Sequence, residues 1–192
     1  MRPRVALLGA LCAVLLAGCG HGSSQVPSSD VRHLVLTPRD LPSGFVPFAE
    51  APTSTVDVQG TSRASLARFG RKGGWVERLR RSGGGKNRLL LVVSTVDVFG
   101  DAKGAQRDLE ASANDFARQR ESGLAKRVVV PQIGDGSVAA ELLAPGGEKE
   151  FAVVWVERNA SASVTAIGGG KLTLGAVAAL ARKQQEKLAN TG

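Results

Sequence analysis

The sequence predicts an α+β fold, in which an antiparallel sheet of about five strands carries two main helices packed on one face, after a short helix-containing N-terminal segment. Three observations lead to this prediction. Short apolar or alternating runs indicate strands, and glycine-rich segments between them indicate tight turns. Two longer stretches carry apolar residues three and four positions apart, which indicates amphipathic helices. The predicted order is β-β-α-β-β-β-α.

The N-terminal segment is predicted to begin its ordered structure at Val31 and to contain one short helix. Thr37 is a favourable helix cap, and Pro38 suits the first helical position because its missing N–H would have no partner there. Pro42 then stops the helix.

The next stretch is predicted to be mostly irregular. Residues 46–60 contain two prolines, so we expect only a short strand at 55–58, followed by a brief helix at 63–69. The sequence Ser-Thr-Val-Asp-Val occurs at 54–58 and again at 94–98, which leaves an internal duplication open.

Five strands and two helices are predicted in the rest of the chain. Residues 75–81 and 88–99 form an antiparallel pair, and residues 89–93 are apolar on both faces, so the second strand is central. The remaining elements are a helix capped by Asp101 at residues 101–119, a meander of strands at 138–144, 151–157 and 162–167, and a last helix at 173–188.

The first residues of the chain have the features of a secretory signal. Arg2 and Arg4 precede an apolar run at residues 5–16, which is too short to span a bilayer as a helix. The run ends in Leu-Ala-Gly followed by Cys19, which resembles the bacterial lipoprotein signal. That resemblance implies a diacylated Cys19 at the mature N-terminus and a protein attached to the membrane through its diacylglyceryl group.

The chain is accordingly divided into three parts. Residues 1–18 are predicted to be the signal peptide, residues 19–30 the lipidated cysteine and a flexible linker, and residues 31–192 a single globular domain. We expect this domain on the extracytoplasmic face of the cell membrane.

The amino-acid composition argues against several classes of catalytic and metal-binding site. The chain has no histidine after His33, no tyrosine, and no cysteine after Cys19. We therefore expect neither Ser-His-Asp nor Cys-His catalysis nor a common zinc site in the domain, and neither a metal nor a cofactor is predicted. Carboxylate pairs remain available, so a carboxylate-dependent hydrolase of envelope polymers stays an alternative to a non-enzymatic domain.

The net charge of +8 indicates an anionic partner. For an exported, tethered protein this partner would be a lipid headgroup or a wall polymer and not nucleic acid. The candidate anion-binding residues cluster within eighteen positions, and they are Arg71, Lys72, Arg78, Arg80, Arg81, Lys86 and Arg88. The alternative is a solvated edge hairpin whose charges prevent aggregation.

Two tryptophans, Trp75 and Trp155, are candidates for lining an apolar cleft. Both lie in predicted strands, where tryptophan is more often a core residue. The sequence leaves these two roles open.

Three segments, at residues 36–45, 98–105 and 133–135, resemble those of uncharacterised exported lipoproteins of high-GC Gram-positive bacteria. More distantly, they are similar to the extracellular sensor domain of mycobacterial Ser/Thr kinases. This resemblance implies an α+β domain with a groove for a ligand and no catalysis. Such domains are typically cross-linked by disulfides, which this chain cannot form, and the matching positions are turns and caps.

The sequence thus predicts a membrane-tethered extracytoplasmic lipoprotein with a non-enzymatic ligand-binding or sensor-like domain. Its ligand is expected to be an anionic lipid or an envelope polymer. Besides the hydrolase, a structural protein that docks on a membrane partner remains an alternative.

Overall fold

A computed structural model of the protein describes residues 25–53, 69–83 and 89–191. The predicted signal peptide, Cys19, the predicted strand at 55–58 and the helix at 63–69 up to residue 68 lie outside the described residues.

The described residues form a sheet of seven strands, where the sequence predicted about five. Neighbouring strands are antiparallel throughout, and their order across the sheet is β1-β2-β3-β7-β6-β5-β4. The strands are β1 (Phe45–Pro52), β2 (Arg71–Arg81), β3 (Leu89–Phe99), β4 (Ala125–Arg127), β5 (Gly136–Leu143), β6 (Lys149–Glu157) and β7 (Ala160–Gly168). The α+β class and the five predicted strands are confirmed.

The two strands that the sequence analysis missed, β1 and β4, are the edges of the sheet. Pro47 and Pro52 argue against a strand in general, but an edge strand tolerates proline where the missing N–H would point away from the sheet. β4 has only three residues, which is too short to show a periodicity.

Two α-helices follow the predicted positions, α1 (Ala102–Glu121) and α2 (Leu174–Ala189). The Asp101 side chain caps α1 by accepting a hydrogen bond from the Gly104 N–H at 2.8 Å. Short 3-10 helices lie at Val31–His33, Pro38–Asp40 and Pro145–Gly147. Among the described residues, no helix is long and apolar enough to cross a bilayer.

The prediction that both helices pack on one face of the sheet is wrong. Along β6, Phe151, Val153 and Trp155 join one hydrophobic cluster together with α2, whereas Ala152 and Val154 join a second cluster together with α1. Because successive side chains of a strand point to opposite faces, the helices cover opposite faces. We call these the α1 face and the α2 face. Each helix is amphipathic, but periodicity does not say which face a helix covers.

The α2 face is shared between α2 and the N-terminal segment. α2 contacts β6 and β7, whereas Val31–His33 contacts β2 and β3. Buried polar groups join these layers: the Leu36 N–H donates to Ser94 Oγ at 2.9 Å, and the Ser94 hydroxyl donates to Gln184 Oε1 at 2.8 Å.

Within the described residues, Val26 is already packed, five residues before the predicted start at Val31. Val26 is 2% exposed, and its N–H donates to Asn159 Oδ1 at 2.7 Å. The Asn159 amide also donates to the Phe99 carbonyl at 2.9 Å. The polar composition of residues 19–30 predicted a linker, but the Val26 side chain is buried and its backbone N–H has a partner 133 positions away in the sequence.

Candidate functional site

The basic residues of β2 do not form one continuous surface. β2 pairs Arg78 with Val93 and Arg80 with Leu91, which puts both arginines on the α1 face, and Arg81 therefore lies on the α2 face. Arg71 lies about 30 Å from Arg81, at a rise of about 3.3 Å per residue along the strand. Lys86 and Arg88 are outside the described residues.

Arg71 lies in a largely buried polar cluster. Its guanidinium forms an ion pair with Asp97 at 3.0 Å and donates to Thr53 Oγ1 at 2.8 Å. A Cβ on Gly74 would overlap both the Asp97 carboxylate and the Thr53 hydroxyl, so this position requires glycine. The charge of Arg71 is thus compensated within the protein, whereas Lys72 beside it is exposed.

Arg81 also has a structural environment. Its guanidinium stacks on the Phe45 ring at 4.9 Å and donates to the carbonyls of Ser43 at 3.0 Å and Leu89 at 3.2 Å. These contacts connect β1, β2 and β3 at one end of the sheet.

The two tryptophans lie in different surroundings. Trp155 is 0% exposed and belongs to the core of the α2 face. Trp75 is half-buried, and the Arg32 guanidinium stands 5.1 Å above its ring. Arg32 also contacts both carboxylate oxygens of Glu50, at 2.9 and 3.0 Å.

Two carboxylates lie between the first half of α1 and the sheet, Asp108 on the helix and Asp97 on β3. Asp97 pairs with Arg71, and Asp108 is hydrogen-bonded to Ser161. Burial raises the pKa of Asp108 to about 6; the hydrogen bond to Ser161 opposes the rise, and the charge of Asp97 adds to it. Neither carboxylate lines the cavity described next.

A half-open cavity of about 440 Å³ lies between the second half of α1 and the sheet edge. Its lining is Ala113, Phe116 and Arg120 of α1, residues 127–130, and residues 137–139 of β5. We call this cavity the edge groove. Its volume falls in the range of small-molecule sites, which is about 300–1,000 Å³.

The edge groove exists because β4 is short. β4 pairs with residues 140–142 of β5 only, so residues 137–139 have no strand partner on that side. After Arg127 the chain leaves the sheet, and Val128 and Val130 pack against the core of the α2 face. Val129 between them is 82% exposed.

The chemistry of the edge groove is apolar with a cationic rim. Phe116, Val128 and Val138 supply the apolar floor. Arg120 on α1 and Arg127 at the end of β4 both line the groove, are exposed, and form no ion pair within the described part of the chain. Such a lining suits a ligand with an apolar body and an anionic group, because an arginine fork binds carboxylates and phosphates through paired hydrogen bonds.

The sequence did not indicate this groove, because its basic residues are densest between positions 71 and 88. Arg120 and Arg127 belong to a sparser group, at the end of a helix and the end of a short strand, and the apolar run at residues 128–130 follows them. Among the described residues, no group of three or more histidine, cysteine or acidic side chains is arranged to hold a metal ion.

Comparison with known structures finds a similar fold. The extracellular domain of PknH from Mycobacterium tuberculosis matches with a TM-score of 0.59 and 16% sequence identity, over 86% of this chain and 100% of that domain. The likeness in fold to the extracellular domain of a mycobacterial kinase, which the sequence motifs predicted, is confirmed. No protein-family model matches the sequence, and a comparison with curated proteins finds no relative.

Proposed function

We propose that this protein is a membrane-tethered extracytoplasmic lipoprotein whose domain binds an anionic amphiphile without catalysis, in the manner of a sensor or carrier. The observation that carries this proposal is the edge groove, where two arginines that have no ion pair among the described residues border an apolar floor. An extracytoplasmic position is supported by the fold shared with an extracellular domain.

The ligand class follows from the lining. An apolar chain would lie on Phe116 and Val138, and its headgroup would reach Arg120 and Arg127. The unpaired edge of β5 adds backbone groups at residues 137–139 that can hydrogen-bond a polar linkage. Lipids with carboxylate or phosphate headgroups have this combination, whereas a purely hydrophilic wall polymer would leave the apolar floor uncovered.

A fluorescent fatty acid, cis-parinaric acid, tests the groove, with its methyl ester as the neutral comparison. We expect the acid to bind more tightly than the ester, and the double variant Arg120→Gln with Arg127→Gln to lose at least about tenfold in affinity for the acid alone, because a single charged hydrogen bond contributes about 1.5–3 kcal/mol. Arg182→Gln, an exposed arginine on α2, serves as the control. Equal affinity of the double variant and the parent chain would contradict the proposal.

The tether is tested separately in a bacterium that processes lipoproteins. The full chain is expected to incorporate labelled palmitate and to stay with membranes in high salt, and Cys19→Ala is expected to do neither, because two acyl chains are needed for stable attachment and salt screens any purely electrostatic binding. A variant that still incorporates palmitate would disprove lipidation at this cysteine.

A further inference from the structure

The strands farthest from the edge groove carry a second exposed surface on the α1 face. It consists of Val46, Phe48, Arg78, Arg80, Leu91 and Val93, and we call it the arginine patch. α1 contacts β3 through β7, so the outer strands β1 and β2 extend beyond it. Leu91 and Val93 are half-buried, and Arg80 is exposed.

The apolar members of the patch are directed outward by the sheet itself. Phe48 is 45% exposed and Val46 39% exposed. The register of β1 against β2 shifts between Pro47 and Ala49, which marks a bulge at Phe48. The Arg80 guanidinium lies 5.7 Å from the centre of the Phe48 ring, on the same face.

The two arginines of the patch have no acidic partner within the described part of the chain. In this they differ from Arg71, which pairs with Asp97. Across the sheet, Arg80 is paired with Leu91, Leu91 with Ile167, and Ile167 with Glu150. Glu150 is the nearest acid in this row of paired residues, and it lies three strand spacings of about 4.8 Å each from Arg80.

Arginine beside exposed phenylalanine and valine matches the interface of an anionic bilayer. Guanidinium groups bind lipid phosphates in pairs of hydrogen bonds, and the apolar side chains enter the boundary between headgroups and acyl chains. A soluble acidic polymer would engage the arginines but gain nothing from Val46 and Phe48. For a tethered chain the bilayer is also present at high effective concentration.

We infer that the arginine patch is a membrane-docking surface that lays the β1–β2 edge of the sheet on anionic headgroups. The inference builds on the proposed extracytoplasmic membrane tether, but it concerns a surface separate from the edge groove. Only Arg78 and Arg80 belong to this surface. Arg81 does not, because its guanidinium contacts Phe45, Ser43 and Leu89 within the protein.

Vesicle binding tests the docking surface without the acyl anchor. The protein is the chain from residue 19 onward with Cys19→Ser, which retains every described residue. Vesicles contain phosphatidylcholine with phosphatidylglycerol, or phosphatidylcholine alone. Each arginine of the patch is expected to contribute about fivefold to the partition coefficient on the anionic vesicles. Arg78→Ala combined with Arg80→Ala should therefore bind far more weakly than the parent chain.

The matched control removes the same charge elsewhere, with Lys171→Ala combined with Arg182→Ala, both exposed at or near α2. It is expected to bind within about twofold of the parent, because charges on the other face stay farther from the lipid than a Debye length. If the two double variants bind equally, net charge and not the patch drives association, and the inference is wrong.

Insertion of the apolar residues has its own readout. The chain has no cysteine after Cys19, so Phe48→Cys in the Cys19→Ser background can be labelled with an environment-sensitive dye. A blue shift on anionic vesicles supports docking, and Arg182→Cys with the same dye should show none. The docking inference is wrong if the dye at position 48 shows no blue shift on anionic vesicles. It is also wrong if the protein binds soluble polyglutamate but not the vesicles. Binding of cis-parinaric acid should not change in the Arg78 and Arg80 variant, so failure of docking and failure of the groove are distinguishable.

Discussion

The two faces of the sheet are built differently although they share the same strands. On the α2 face, the N-terminal segment and α2 together cover the strands, and buried polar side chains such as Ser94, Gln184 and Asn159 find partners inside. On the α1 face, one helix covers part of the sheet and leaves the edge groove at one side and the arginine patch at the other. We therefore expect stability to depend mainly on the α2 face and binding on the α1 face.

The difference also extends to charge. On the α2 face Ser94 and Gln184 are neutral and Glu77 is a buried acid whose pKa is raised by burial, whereas the α1 face holds Arg71, Asp97 and Asp108 between its helix and the sheet. Buried charges cost desolvation free energy even when they are paired. We therefore expect Asp108, whose pKa is raised to about 6, to give the largest single effect of pH on the fold.

The largest expected effect is on the α2 face. Trp155→Ala should lower the free energy of unfolding by about 4 kcal/mol, because it removes a fully buried indole and leaves a cavity. Urea denaturation measures the loss, and Trp155→Phe should lose clearly less. A loss below about 1 kcal/mol for Trp155→Ala would contradict the expectation that the stability of the fold depends mainly on the α2 face.

The second effect is a pH dependence from the α1 face. The pKa of Asp108 is raised from 3.8 to about 6, so the folded state retains a proton that the unfolded state releases. The free energy of unfolding should therefore fall as pH rises from 3.8 to about 6, by at most about 3 kcal/mol, and stay level above that.

Asp108→Asn should flatten this slope and unfold at a higher denaturant concentration than the parent at neutral pH. Glu110→Gln, on the exposed side of α1, is the control and should keep the parent's slope. Denaturation curves between pH 4 and pH 7 give the measurement. A parent chain whose stability rises over that interval would contradict the role of Asp108.

The smallest expected change in the free energy of unfolding is at Phe48, which we place on the binding surface and not in the core. Phe48→Ser should change the free energy of unfolding by no more than about 0.5 kcal/mol, because the ring is 45% exposed and lies on an edge strand. Thermal unfolding measures it. A large loss would mean that Phe48 belongs to the folded core, and the arginine patch would then lose its apolar member.

The sequence predicted the elements with clear periodicity and missed the others. The stripe of α2 at Val177, Ala181 and Leu188 is buried as its spacing indicated, and Asp101 caps α1 as expected. The edge strands were missed because proline in β1 and the length of β4 hide the strand pattern. The edge groove was missed because its two arginines show no common pattern in the sequence, and they line one cavity only because β4 ends at Arg127.

By itself, the sequence determined the class of the fold, the five inner strands, both helices and a composition without histidine after His33 or cysteine after Cys19. These follow from local periodicity and composition, which each segment carries on its own. Only the tertiary structure decided that the helices lie on opposite faces, that Arg71 and Arg81 are held internally, and that Arg78 and Arg80 share a surface with Phe48. Strand register and the choice of face depend on long-range pairing, and a one-residue change in register would reverse them.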